Sequence, residues 1–87
     1  DQVEQAGAVV PALWHIEVAN VWLASLRRGR LESAEIAHLR QIFDRLPVQT
    51  EAIDPARTRA DVLGLAEQHR LTVYDACYLD LALRRAL

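Results

Sequence analysis

The sequence predicts an α/β domain in which short parallel strands are joined by helical crossovers. Two observations predict it. Segments alternate along the chain as strand, two helices, strand, two helices, an order that favours a parallel sheet with crossovers. The composition can also build a core: of 87 residues, 52% are hydrophobic and 25% charged, too apolar for a disordered segment. The length suits one small domain, whose modest core would gain from oligomerisation.

Each element has a local reason. "DQVEQAG" at 1–7 reads as the tail of a helix, with Gly7 supplying the left-handed residue beyond its end. "AVVP" at 8–11 is a short apolar run stopped by Pro11, which reads as a buried strand. "ALWHIEVANVWLASLRRG" is a helix closed by basic residues and Gly29. "LESAEIAHLRQIFDRL" is a second helix, with Ile36, Leu39, Ile42, Phe43 and Leu46 on one face. Pro47 stops it, and "VQTEAI" reads as a second strand. Asp54 followed by Pro55 is a strong helix start, an N-cap before Pro at the first helical position. That helix runs through "ARTRADVLGLAEQHR", with Val62, Leu63, Leu65 and Ala66 as its apolar side. The last helix begins at Thr72 in "LTVYDACYLDLALRRAL". Two strands are few for a parallel sheet buried on both faces, so the fold is expected to be incomplete at both ends.

Charge and cysteine content exclude several classes. The net charge is −2, so the chain is no general polyanion binder. All ten basic residues are Arg, the side chain suited to bidentate contacts with phosphate or carboxylate. A single cysteine, Cys77, rules out an intrachain disulfide and multi-Cys zinc motifs, and is expected to pack as a small apolar residue. No signal peptide or membrane-length apolar run is visible, which makes a cytoplasmic location the expectation. His15, His38 and His69 fit no zinc spacing, Ser25 and Ser33 lack a nucleophile setting, and no Gly-rich phosphate loop occurs. No helix pair shows a short Gly turn followed by a basic recognition face.

Two carboxylates stand out. Glu17 and Asn20 are the only polar residues between His15 and Ser25, and they stand three apart on one helix face. Buried polar groups need partners. The structural alternative is a first-turn Glu favoured by the helix dipole, with Asn20 on a narrow exposed stripe. Asp75 stands three residues after Thr72, a capping-box spacing that would explain it locally. A carboxylate fixed in a first turn is also placed to hold a cation. Asp80, about 140° further around the helix, reads as a solvated or structural acid. "RRGR" at 27–30 is a small basic patch at a helix end, where Arg also complements the dipole.

Taken together and in order, "AVVPALWHIEVANVW", "RRGRL", the Asp54-Pro55 helix start and "LTVYDACYLDLALRRAL" resemble the PIN-domain ribonucleases of the VapC toxin type. The Tyr-Asp-Ala core of the last segment, followed by Tyr-Leu, is the most specific piece. The resemblance implies a PIN-like three-layer α/β fold with a short parallel sheet. It implies a metal-dependent endoribonuclease whose clustered acids bind Mg2+ or Mn2+ and activate water against an RNA phosphodiester. Glu17 and Asp75 match two of those acids and are the implied metal ligands, while Asn20 matches a polar neighbour of the Glu. Hard divalent cations prefer such carboxylate oxygens. RNA substrate, a cognate antitoxin protein and a homodimer are the implied partners. The family's first and last acids lie in strands that these residues do not match, so 1–87 is expected to be a partial PIN domain, nearly inactive alone. The alternative is a non-catalytic helical interaction module in which Asp75 only caps and Glu17 only serves the dipole.

Overall fold

A computed structural model describes residues 7–86. The helix tail expected before Gly7 lies outside them. Strand β1 (Ala8–Pro11) leads into helix α1 (Leu13–Arg27), followed by α2 (Ser33–Asp44) and strand β2 (Val48–Glu51). Helix α3 spans 55–69 in three stretches: Pro55–Arg57, a π-helical turn at Thr58–Val62, and Leu63–His69. Helix α4 (Val73–Arg85) completes the order. The molecule is thus mixed α/β and mostly helical, as the alternation of segments predicts.

The strands pair in parallel. The Ala8 amide donates to the Pro47 carbonyl (2.9 Å) and the Ala12 amide to the Glu51 carbonyl (3.0 Å), an equal advance along both chains. Gly7 sits at φ +80°, and a Cβ there would collide with the Pro47 carbonyl oxygen. Glycine is therefore required at the start of β1 by close backbone approach as well as by conformation.

Helix ends follow their local chemistry. After α1, the Gly29 amide donates to the Leu26 carbonyl and the Arg30 amide to the Ser25 carbonyl, with Gly29 at φ +71°. That pair of bonds is the Schellman closure expected of a left-handed glycine. Asp54 Oδ1 accepts from the amides of Ala56 (3.0 Å) and Arg57 (3.2 Å), so the predicted N-cap of α3 forms. Helix α3 ends one residue earlier than its pattern suggests, because Arg70 turns left-handed at φ 56°. Its Leu71 neighbour returns an amide bond to the Ala66 carbonyl (2.9 Å).

The described residues divide into two compact units: 7–9 with 14–49, and 10–13 with 50–86. In the first, α1 and α2 meet through aromatic rings. Trp14 stacks near-parallel on Phe43 at 5.9 Å, and Trp22 meets the same ring edge-on at 4.9 Å. In the second, Val62 and Ala66 of α3 pack on Ala76 of α4, with Leu65 and Cys77 beside them. Cys77 takes the small apolar role expected of it.

Some expectations about burial need correction. Ile16 (71%) and Val21 (62%) on α1 are exposed, although Glu17 and Asn20 are the only polar residues between His15 and Ser25, and Tyr74 (67%) and Leu83 (62%) on α4 are exposed too. Ile42, Leu46 and Leu63 are exposed as well. Periodicity ranks the sides of a helix, but it does not say how much cover the neighbouring elements can provide.

Two substitutions at helix ends are expected to act in opposite directions. Asp54→Ala removes both cap bonds and should cost about 1 kcal/mol. Arg70→Gly relieves a left-handed non-glycine residue and should gain up to about 1 kcal/mol. Urea denaturation followed by circular dichroism measures both.

Candidate functional site

Among the described residues, two groups of acids stand out once their partners are known. The first group is neutralised. Asp80, on α4, is only 4% exposed. Its Oδ1 accepts from Arg57 Nη2 (2.6 Å), and its Oδ2 accepts from Arg57 Nε (3.1 Å) and from Arg84 Nε (2.8 Å). Both Nη atoms of Arg84 bond the two Glu51 oxygens at the end of β2. Arg85 Nε adds a third contact to Glu51 at 3.1 Å. Arg57 also reaches Asp61 one helical turn on (2.9 Å). The result is a chain of alternating charge: Asp61, Arg57, Asp80, Arg84, Glu51, Arg85.

Burial alone would push a carboxylate's pKa up. Here the Arg57 guanidinium, seconded by Arg84, outweighs that and holds Asp80 below its ordinary value of 3.8. Arg84, with Arg85, likewise holds Glu51 below its ordinary 4.5. Arg84 itself is pushed up, first by Glu51 and then by Asp80, and Arg57 is pushed up by Asp80. The sequence reading of Asp80 as a solvated or structural acid resolves to structural, and its partners decide that.

Arg57, Asp80, Arg84 and Glu51 line a pocket of about 240 Å³ in the second unit, bounded also by Pro11, Asp54, Val62 and Cys77. The pocket sits at the carboxyl end of the β1–β2 pairing, where open α/β folds commonly take ligands. Its two Arg groups bond Asp80 and Glu51, and Asp54 caps α3, so it presents little uncompensated charge of either sign.

The second group of acids is unneutralised, and it holds the two singled out in the sequence. Asp75 is the third residue of α4 and is exposed. Thr72 caps the helix by accepting from the Asp75 amide at 3.0 Å. The cap thus uses the backbone of Asp75, and among the described residues its carboxylate has no hydrogen-bond or ion-pair partner. Capping therefore does not account for the acid, which corrects the local explanation. Glu17 is exposed on α1, and so is Asn20. Because α1 begins at Leu13, Glu17 lies in its second turn. Its separation from the free amides weakens the dipole explanation, since the effect falls off within the first turn. Neither residue has a partner among the described residues.

Glu17 and Asn20 belong to the first compact unit and Asp75 to the second. Among the described residues, no group of three or more His, Cys, Asp or Glu side chains is arranged to hold a metal ion. The histidines are all exposed, as are Arg27, Arg28 and Arg30 of the basic patch. No helix among the described residues is long and apolar enough to cross a membrane. No protein-family model, curated protein or solved structure matches this chain.

Sequence reasoning missed two features. One is the Arg57–Asp80–Arg84–Glu51 network, whose only local signal is the four-residue spacing of Asp80 and Arg84. The other is the Trp14–Phe43–Trp22 cluster, foreshadowed by two tryptophans eight apart on one helix face.

The network makes stability depend on pH with a definite sign. A carboxylate whose folded pKa is depressed contributes stability above its unfolded pKa and loses it as pH falls through the folded value. Stability should be level from pH 8 to about 5 and fall progressively below about 4 as Asp80 and Glu51 take up protons. Asp80→Asn should cost about 2 kcal/mol at pH 7, less than for a wholly buried pair because its Arg partners reach solvent, and should flatten the acid limb. Asp61→Asn, at an exposed pair, should leave the denaturation midpoint in place. Midpoints measured from pH 3 to 8 test all three.

Proposed function

We propose that this chain is part of a metal-dependent endoribonuclease of the PIN type, similar to VapC toxins, with Glu17 and Asp75 as ligands for Mg2+ or Mn2+. One observation carries the reading: the two acids that match the family's motifs are exposed and have no partner among the described residues, whereas Asp80, Glu51 and Asp54 are spent on Arg pairs or a helix cap. The ordered motifs and the mixed α/β element order support it, and a PIN-like three-layer arrangement is part of the proposal.

Two carboxylates offer the hard oxygen donors that Mg2+ and Mn2+ prefer. A bound ion would supply Lewis-acid stabilisation of charge on a phosphodiester. Glu17 and Asp75 would hold it, and Asn20, on the same helix face as Glu17, would orient a ligand through its amide. The Arg27, Arg28 and Arg30 patch is the candidate for contact with the RNA backbone. A cognate antitoxin and a second copy of the chain are the proposed protein partners. Two carboxylates bind a divalent ion weakly, so little cleavage is expected from the 87 residues alone.

A second reading, a non-catalytic helical interaction module, draws on the exposed apolar residues of α1, Ile16 and Val21. The two readings separate experimentally. Under the nuclease reading, Glu17→Gln and Asp75→Asn each weaken Mn2+ binding at least tenfold in titration calorimetry while the denaturation midpoint stays in place. Mn2+ binding unchanged by both substitutions would overturn it. A midpoint loss of up to about 1 kcal/mol with Asp75→Asn would assign that first-turn acid to the dipole of α4 instead.

In an RNA cleavage assay with and without Mn2+, the isolated chain should stay near background. Robust Mn2+-dependent cleavage would sink the expectation of weak activity and strengthen the nuclease reading.

A further inference from the structure

We draw no further inference here: the strongest candidate, the exposed apolar face of α1 bearing Ile16 and Leu23, carries nothing because nothing in the structure shows what covers it.

Discussion

Arg84 lies between two carboxylates, and the charged architecture of the second compact unit depends on that placement. Its Nε serves Asp80 while both Nη atoms serve Glu51, so one planar group joins the end of β2 to α4. Asp80 then brings in Arg57 from the first turn of α3. The apolar cluster behind these groups is small, built from Val62, Ala66 and Ala76 with Leu65 and Cys77 beside it. Such a core leaves much of the alignment of β2, α3 and α4 to the charges. The Arg-only basic composition gains a structural meaning at this point. A guanidinium presents a rigid fork of donors that can bridge two acids, whereas a Lys ammonium on a flexible stem cannot hold both in one plane. A buried carboxylate with one partner removed keeps its desolvation cost, so the members of the chain support one another.

The same constraint sorts the acids by use. Asp75 and Asp80 share one helix and differ by five positions, yet one is exposed with no partner among the described residues and the other is buried among arginines. The difference arises from what lies opposite each. Position 80 faces the α3 arginine and the end of β2, while position 75 stands at a helix start whose capping needs are met by a threonine hydroxyl. An acid already bound to Arg cannot also offer its oxygens to a cation without giving up those bonds. Glu17 and Asp75 carry no such obligation among the described residues, and this is why the functional proposal rests on them.

Much of the fold was legible because its signals are local. Pro11, Pro47 and the Asp54-Pro55 pair mark boundaries through backbone chemistry that no tertiary contact overrides. Gly29 closes α1 through a bonding pattern that glycine favours. The α3 ending at Arg70 was less legible, because a left-handed Arg is unfavourable in isolation and is adopted only in the folded context. The π-helical turn at Thr58–Val62 had no marker in its "TRADV" run. At the site, residue types could nominate Glu17, Asn20 and Asp75, but the pairing of Arg57 with Asp80 spans 23 positions. The bond from Arg84 to Glu51 spans 33. Contacts at that separation are set by how elements come together, and pattern along the chain does not encode them directly.

Helix α1 makes the same point from the apolar side. Its residues from Ile16 to Leu26 are apolar except for Glu17, Asn20 and Ser25, a pattern that asks for cover on most sides. The cover present within its compact unit comes from one direction, where Phe43 of α2 contacts Trp14 and Trp22. Aromatic contacts of this kind are worth about 0.5–1.5 kcal/mol beyond the area they bury, so they hold the α1–α2 pair out of proportion to their number. Ile16 stands on the opposite side of the helix from the tryptophans, and both it and Val21 contribute little to folding while they remain in water. Substituting Phe43 would therefore register in folding more than substituting Ile16. The helix that carries Glu17 is thus anchored on one side by its tryptophans. Its acid stands on a surface that the fold of this unit does not need.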